Sequence, residues 1–534
     1  MSGNFFSYKI KEVSTVIRFV LGLRRFLSEK AFIATAKRVL EQRKGSREES
    51  FLMVVKKGIF GYAQSPYLPL FRLAGITYEG VERMVAEKGL EGALMALKDA
   101  GVYFTIEEFK GRKPVVRQGT TFAVSDRDFD NPYMASSYQR RSGGTRSVCT
   151  RVEMNFDFLA EIGATRALIL DVEGLADAAH VILRPVNPYG VGMMYMLQLV
   201  KYGIYPARWV SLVREKDLGL SLRSWMGVRA VFLLATLFGK KLPMPEFLNS
   251  KDIADVVRGL AKLLVTHQKC GVSANVSMAV RVCLVAKRLG VDLTGVEFHG
   301  CGEPLTAAKK KAVEAVGARV VLYYAFAEVG LAGSLCSRPA QIDDIHVFND
   351  FVVLTSYKRE AQGCVVDALL ATTLLPSAPK IFLNVESGDY GVLEERKCGC
   401  PYDGLGYHQH IHHIRSFEKL TGEGMTFYGA DLLRIVEELL PAAFGGSCLD
   451  YQLVEEEGAE GLTRLMVHVS PRVGPVDEVA LVKALIYELK KGNDSQKVMA
   501  QVWLEAGTVQ VRRKDPVLTK DGKQYPLHII KEAG

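Results

Sequence analysis

The sequence predicts an α/β fold, in which a large domain with mixed or parallel sheets flanked by helices precedes a small α+β domain. Two observations lead to this prediction. Predicted strands and helices alternate between residues 277 and 324, a pattern that is typical of a parallel sheet. The chain has 534 residues, more than one hydrophobic core usually holds, so two or three domains are expected.

The N-terminal part of the chain is predicted to be helical. From Ser14 to Lys44, apolar residues recur at helical spacing and basic residues lie between them, which predicts a basic amphipathic helix. Such a helix binds a membrane surface or packs its apolar stripe on its own domain, and packing is favoured. A second helix is predicted from Tyr78 to Ala100, with Gly101 as its C-cap.

The middle of the chain begins with a predicted long loop, residues 122–150, that is rich in Asp, Ser, Gly and Arg. The alternating elements that follow are a helix at Ser277–Leu289, a strand at Gly295–His299, a helix from Thr306 to Val316 and a strand at Ala318–Tyr324. Ligands of parallel sheets bind beyond the carboxyl ends of the strands. The turns after these two strands are therefore candidate parts of a binding site.

The last part of the chain reads as a separate module with helices at Asp431–Leu440 and Glu478–Lys491 and a strand at Thr463–His468. A charged segment, residues 514–523, precedes a final apolar strand. We therefore expect three parts: a helical N-terminal part over 1–115, a core over 116–414 and a C-terminal domain over 415–534.

Composition narrows the function classes only slightly. The formal charge of +9, from 68 basic and 59 acidic residues, fits a nucleotide, an acidic cofactor or an anionic membrane surface, and no nucleic-acid partner is predicted. Nine cysteines at ordinary spacing do not suggest a secreted disulfide framework. The sequence shows neither the apolar run of a signal peptide nor a spanning segment, so a cytoplasmic protein is expected.

Four short segments carry residue types suited to a nucleotide. The first combines two glycines, which allow close approach to phosphate, with hydroxyl and guanidinium donors: Ser142, Gly143, Gly144, Thr145 and Arg146. The second is the turn Gly302-Glu303-Pro304. The third places Tyr324 four residues before Glu328, a carboxylate of the kind that Mg²⁺ prefers. The fourth contains Asp389, whose carboxylate can accept two hydrogen bonds from a diol.

In this order, the four segments resemble the acyl-adenylate-forming (AMP-binding) superfamily, and within it the branch of phenylacetate-coenzyme A ligase and coenzyme F390 synthetase. The resemblance covers about residues 120–525. It implies that the first segment binds the phosphates of ATP, that the second flanks the adenine, and that Tyr324 packs on the adenine. It also implies that Glu328 holds Mg²⁺, that Asp389 binds the ribose, that Arg415 begins a hinge and that Lys523 is the catalytic lysine, with Lys520 in reserve. Two residues depart from the family pattern, namely Arg146 in place of glycine and Ala327 in place of threonine.

The resemblance implies an AMP-forming acid–thiol ligase. ATP would activate a carboxylic acid as its acyl adenylate, and a thiol, most simply that of coenzyme A, would then accept the acyl group, with the residues after 414 swinging between the two steps. Transfer to a carrier protein or a protein cysteine is an alternative, and the two departures leave open a degenerate nucleotide-binding protein. The apolar stretch Val181–Met244 suggests an aryl or fatty acid, although it reads equally well as ordinary core.

A metal site is also predicted. Cys336, His346, Cys398 and Cys400 supply three sulfurs and one imidazole, which suit tetrahedral zinc, and a site of this type occurs in the phenylacetate ligase branch. Four protein ligands would make it structural, because no coordination position remains open. Free buried thiols are the alternative. A rival set is formed by His408, His410 and His412, which alternate along a predicted strand.

Overall fold

The protein is represented by a computed structural model. It describes residues 18–29, 31–134, 138–141, 151–186, 190–212, 222–248, 252–302, 305, 307–361, 364–416, 419–422, 425–428, 435–446, 450–457, 463–491, 494–517 and 527–529.

The N-terminal part is helical, as predicted, but the expected long first helix is two helices. Phe32 adopts an extended conformation before the second of them, which breaks the helical repeat. Leu23 and Leu27 of the first helix are buried in the core, which is the packing arrangement favoured above. The helices of the chain are α1 (residues 18–28), α2 (Ile33–Gly45), α3 (Arg47–Val55), α4 (Leu68–Ala74), α5 (Tyr78–Asp99), α6 (Ile106–Phe109), α7 (Phe156–Val172), α8 (Val191–Lys201), α9 (Leu222–Leu237), α10 (Ile253–His267), α11 (Val276–Leu289), α12 (Ala307–Glu314), α13 (Pro401–Gly404), α14 (Leu440–Phe444), α15 (Glu478–Leu489) and α16 (Asp494–Ala506).

Strands build one large sheet and several small ones. They are β1 (Val115–Arg117), β2 (Thr120–Phe122), β3 (Tyr138–Arg141), β4 (Arg151–Met154), β5 (Ala179–Leu183), β6 (Arg208–Ser211), β7 (Pro245–Phe247), β8 (Cys270–Ser273), β9 (Val296–Cys301), β10 (Arg319–Phe326), β11 (Gly330–Leu335), β12 (Ile345–Val347), β13 (Val352–Ala361), β14 (Cys364–Thr373), β15 (Val385–Glu395), β16 (Gln409–Ser416), β17 (Lys419–Gly422), β18 (Met425–Tyr428), β19 (Tyr451–Glu457), β20 (Thr463–Val469), β21 (Val509–Arg513) and β22 (Leu527–Ile529).

The large sheet has a parallel half and an antiparallel half. Its strand order is β13-β14-β15-β16-β12-β11-β10-β9-β8-β5-β6-β7. Neighbours from β10 to β7 pair in parallel, as the alternation of strands and helices predicted. From β10 to β13 every pair is antiparallel, so consecutive turns lie at opposite ends of the strands. The sheet is therefore mixed, and the long antiparallel hairpins after residue 351 were not predicted.

Two predicted segments differ in detail. The expected loop over 122–150 contains β3, which pairs with β4 as a hairpin. The C-terminal module holds a mixed sheet of order β21-β20-β19-β22 and the additional helix α16. Within the range expected to form the helix Asp431–Leu440, the described part is a π-helical turn, Ile435–Leu439, continued by α14.

Two hydrophobic clusters form the core. The larger runs from the N-terminal helices through both halves of the large sheet, and the smaller is built from residues after 434. Helix α16 contributes to both, because Val498 belongs to the larger cluster and Trp503 to the smaller. In the described part of the chain, no helix combines the length and the apolar character needed to cross a membrane.

Candidate functional site

The carboxyl ends of β9 and β10 bring two of the predicted segments together. The strands are parallel, with Cys301 directly opposite Tyr323, so the turns that follow them open at the same edge of the sheet. Gly302 begins the first turn with a φ of 86°, a conformation that residues with a side chain rarely adopt. Glu303 and Pro304 lie outside the described residues.

The second turn, Ala327–Val329, joins β10 to β11 and carries the predicted magnesium ligand. Glu328 is buried, and its Oε1 atom lies 3.4 Å from Nζ of Lys110. The lysine side chain is 14% exposed, so the ion pair is shielded from solvent. Lys110 was missed by the sequence reasoning, because no local pattern sets it apart from other lysines. A cation is thus already placed beside the carboxylate that was predicted to bind Mg²⁺.

Tyr324 and Asp389 are in direct contact although they are 65 residues apart. The Tyr324 hydroxyl donates a hydrogen bond to Oδ2 of Asp389 at 3.1 Å, and both residues are buried. Burial raises the pKa of Tyr324 well above its usual value, and the neighbouring Asp389 raises it further. The tyrosine therefore stays protonated and remains a donor. The third and fourth predicted segments consequently share one site.

A buried network holds the segment that carries Asp389. Glu386 accepts a hydrogen bond from the backbone N–H of Ile106 at 2.9 Å, and it also contacts the Tyr357 hydroxyl and Arg359. Burial raises the pKa of Glu386, and the bonds from Tyr357 and Arg359 oppose that shift. The sequence reasoning missed this network, because its members come from three separate elements. It ties β13, β15 and α6 together behind the site.

Other predicted site residues lie outside the described part of the chain or are described only by their backbone. The phosphate segment, Ser142, Gly143, Gly144, Thr145 and Arg146, and the predicted catalytic Lys523 lie outside the described residues. The backbone of Arg415 lies in β16, opposite Tyr390 of β15. Arg151, a guanidinium that follows the phosphate segment in the chain, pairs with Glu153 at 2.9 Å and Asp130 at 3.7 Å.

The four predicted metal ligands converge near the carboxyl end of β11, whereas the Ala327–Val329 turn precedes the start of this strand. Strand order explains this, since β11, β12 and β16 are neighbours and the Cys398–Cys400 segment connects β15 to β16. The ligand atoms of Cys336, His346, Cys398 and Cys400 all lie within 4.8 Å of one another. Sγ of Cys336 and Sγ of Cys398 are 3.7 Å apart, and Nε2 of His346 lies 3.5 Å from Sγ of Cys398 and 3.0 Å from Sγ of Cys400.

Two of these three distances match a single tetrahedral zinc ion. Zn–S bonds of about 2.3 Å and a Zn–N bond of about 2.0 Å give edges of about 3.8 Å between two sulfurs and about 3.5 Å between sulfur and nitrogen. The 3.0 Å separation between His346 and Cys400 is shorter than such an edge. Burial lowers the pKa of His346 to about 4, so its imidazole is neutral near pH 7. Its Nδ1–H donates to the Tyr407 carbonyl at 2.8 Å, which directs the Nε2 lone pair towards the sulfurs.

Backbone donors support the sulfurs of the same cluster. The N–H of Arg338 donates to Sγ of Cys336 at 3.3 Å, and the N–H of Cys400 donates to Sγ of Cys398 at 3.4 Å. Such bonds stabilise thiolates when a metal binds. Burial raises the pKa of the Cys336 thiol, so this sulfur is protonated in the absence of a cation. The donor set therefore fits zinc.

The rival histidine set does not converge. His408 pairs with Asp403, and Nδ1 of His412 lies against Nδ1 of His413. Within the described ranges, only His410 of the three predicted histidines belongs to a group with metal-ligand spacing, and its partners are Cys336 and Asp344. The alternation along β16 thus places His410 and His412 on one strand without creating a three-histidine site.

No protein-family model and no curated protein matches the chain. Among solved structures, it is similar to 2-hydroxyisobutyryl-CoA ligase in complex with 2-HIB-AMP and CoA, with a TM-score of 0.54 and 14% identity over 92% of this chain and 90% of that chain. The chain shares the fold of this CoA ligase. At this identity the likeness concerns the fold and leaves the substrate open.

Two further similarities are weaker. An amide bond synthetase from Marinactinospora thermotolerans has a TM-score of 0.42 and 11% identity, covering 77% of this chain and 71% of that chain. Acetoacetyl-CoA synthetase from Streptomyces lividans has a TM-score of 0.30 and 14% identity, covering 77% and 56%. These scores add nothing to the conclusion about the fold.

Proposed function

We propose that this protein is an ATP-dependent acid–thiol ligase that activates a carboxylic acid as its acyl adenylate and transfers the acyl group to coenzyme A. The observation that carries the proposal is the hydrogen bond between Tyr324 and Asp389, at 3.1 Å. It unites two nucleotide-type segments at the sheet edge where β9 and β10 end. The shared fold with a CoA ligase supports the same reading.

In this proposal, Tyr324 packs on the adenine and the Asp389 carboxylate accepts hydrogen bonds from the ribose. Gly302 lets the backbone approach the nucleotide closely. Glu328 would hold Mg²⁺, which supplies charge neutralisation at the phosphates. Lys523 would stabilise the charge that develops when the acid attacks the α-phosphate.

Some parts of the proposal rest on the sequence alone. They are phosphate binding by the segment 142–146, a hinge at Arg415 and a movement of residues 415–534 relative to residues 1–414. Membership in the phenylacetate-coenzyme A ligase branch rests on it as well.

The proposal is tested by pyrophosphate release from ATP and Mg²⁺ with a panel of carboxylic acids, with and without coenzyme A. Acid-dependent release is expected, followed by a thioester product whose mass identifies the acceptor. Asp389→Asn should raise the KM for ATP by about 10- to 100-fold, because a charged acceptor is lost. The matched control is Asp367→Asn, at a carboxylate that pairs with Lys358 on the neighbouring strand.

We also propose that the four-residue cluster binds one structural zinc ion. The support is the 3.7 Å Sγ–Sγ separation between Cys336 and Cys398 and the oriented imidazole of His346. Four protein ligands leave no position for substrate, so the metal would hold β11, β12 and the connection between β15 and β16 together.

A second candidate function is nucleotide binding without ligation. It is favoured by the Lys110–Glu328 ion pair, which occupies the predicted magnesium ligand, and by Ala327, which offers no hydroxyl to a phosphate. This candidate predicts ATP binding by calorimetry with no acid-dependent pyrophosphate release. Robust turnover with any acid rules it out.

A further inference from the structure

Arg166 is a buried cation with an unused donor. It lies in α7 and is 9% exposed. Its Nε donates to Oε1 of Gln198 at 2.7 Å, and its guanidinium carbon lies 4.3 Å from the ring centroid of Tyr195 and 5.2 Å from that of Tyr323. Its Nη1 atom is buried with no hydrogen-bond partner in the described part of the chain.

The carboxylate of Glu297 already lies against other side chains. Oε1 of Glu297 lies 3.1 Å from Nε2 of His299, and its Oε2 lies 3.0 Å from Arg319. Among the described residues, Arg166 forms no ion pair with any carboxylate. A buried guanidinium is costly unless an anion or several acceptors compensate it. The aromatic faces of Tyr195 and Tyr323 compensate only part of this cost.

A second buried guanidinium, that of Arg184, acts on the same tyrosine. Arg184 follows β5 directly and is 7% exposed. It donates to the Ala274 carbonyl at 2.7 Å and to Oγ of Ser273 at 3.4 Å, and it contacts Oδ1 of Asn275. Burial raises the pKa of Tyr195, and Arg166 and Arg184 both oppose that shift, so both cations act on this one tyrosine.

The cluster of Arg166, Arg184, Tyr195 and Tyr323 is adjacent to the proposed nucleotide site. Tyr323 precedes Tyr324 on β10, and successive residues of a strand point to opposite faces. Tyr324 meets Asp389 on one face, while Tyr323 contacts His299 and Arg166 on the other. His299 lies on β9, which ends at the turn that begins with Gly302. The cluster therefore lies just behind the edge where the nucleotide would bind.

We infer that the acid that this protein activates carries a second carboxylate, which Arg166 binds from within the protein while Arg184 adds positive charge. This inference rests on the proposed function. A carboxylate would accept from the unused Nη1 donor and balance the buried charge, and guanidinium is suited to such planar, charge-assisted bonds. The expectation of a simple aryl or fatty acid is narrowed accordingly to a dicarboxylic acid.

The test uses acyl sulfamoyl adenosines, which are non-hydrolysable mimics of acyl adenylates. Two sets are compared, with acyl chains of four to eight carbons that end in a methyl group in one set and in a carboxylate in the other. Their dissociation constants are measured by calorimetry with the full-length protein. The carboxylate-terminated mimic of the best chain length should bind at least 10-fold more tightly than its methyl counterpart. Arg166→Met should remove this preference, whereas Arg319→Met should retain it, because Arg319 is 56% exposed.

The outcomes separate the two proposals. If both mimics bind equally tightly to the wild type, the nucleotide site stands and the dicarboxylic acid is refuted. If neither binds, the proposed function fails and the inference fails with it. If the preference persists in a folded Arg166→Met protein, Arg166 is not the anchor. The wild-type comparison decides the acid class even if Arg166→Met does not fold.

Discussion

Loss of the proposed zinc ion from the four-residue cluster is the perturbation whose effect on stability follows most directly from the structure. Cys398→Ser replaces one ligand of a group whose ligand atoms lie within 4.8 Å of one another. With zinc bound, Cys336 and Cys398 close a loop of about 60 residues, for which chain entropy gives about 4 kcal/mol of stabilisation. We expect the loss of stability to be about 2–4 kcal/mol, because a ligand substitution removes this constraint and leaves the hydrophobic core in place.

The assay combines metal content with stability. Elemental mass spectrometry of the wild-type protein should find about one zinc ion per chain, because the described residues contain one set of four ligands suited to tetrahedral zinc. Cys398→Ser should contain almost none and should unfold at lower temperature. A chelator should lower the unfolding temperature of the wild type and leave that of Cys398→Ser unchanged.

The control is Cys301→Ser, because this cysteine is only partly buried and lies outside the cluster. It should keep its zinc and respond to the chelator as the wild type does. Zinc-free wild-type protein whose unfolding temperature does not respond to added zinc would refute the reasoning. The cluster would then be a set of buried thiols.

Three other predictions concern catalysis and packing. Lys523→Ala should abolish pyrophosphate release without changing the unfolding temperature, because the role proposed for Lys523 is to stabilise developing charge. Lys110→Met should lower the Mg²⁺ concentration required for half-maximal pyrophosphate release several-fold, because it frees Glu328 from an ion pair of 3.4 Å. Arg43→Met should lower the free energy of unfolding in urea by about 3–5 kcal/mol, because it removes the cation that lies 2.8 Å from the buried carboxylate of Asp350.

Each of these has a control and a contradicting result. Lys514→Ala, at an exposed lysine with no proposed role, is the control for Lys523→Ala, and an unaltered rate in the latter removes Lys523 from the mechanism. An unchanged Mg²⁺ dependence in Lys110→Met would show that Mg²⁺ does not compete for Glu328. Arg25→Met is the control for Arg43→Met, because the Arg25–Glu29 pair is exposed. Equal losses in these two arginine variants would contradict the role given to burial.

Local features of this protein could be predicted from the sequence because a few neighbouring residues determine them. Helix α11 begins and ends within one residue of its predicted limits, and Gly290 closes it in the left-handed conformation. Strands β9 and β10 pair in parallel as the alternation with helices predicted. The antiparallel half of the sheet was missed, since its long hairpins carry no helices between the strands to mark the pattern.

Tertiary structure alone decided which distant groups meet. The family resemblance suggested that Tyr324 and Asp389 both bind a nucleotide. Their 3.1 Å hydrogen bond, however, depends on the strand order of the sheet. No sequence pattern indicated that Lys110 lies beside Glu328, or that Nη1 of Arg166 is buried with no hydrogen-bond partner in the described part of the chain. The physical reason is that long-range packing determines how deeply a side chain is buried and which partners it contacts. Turns, helix caps and hydrophobic periodicity, in contrast, depend on a few consecutive residues.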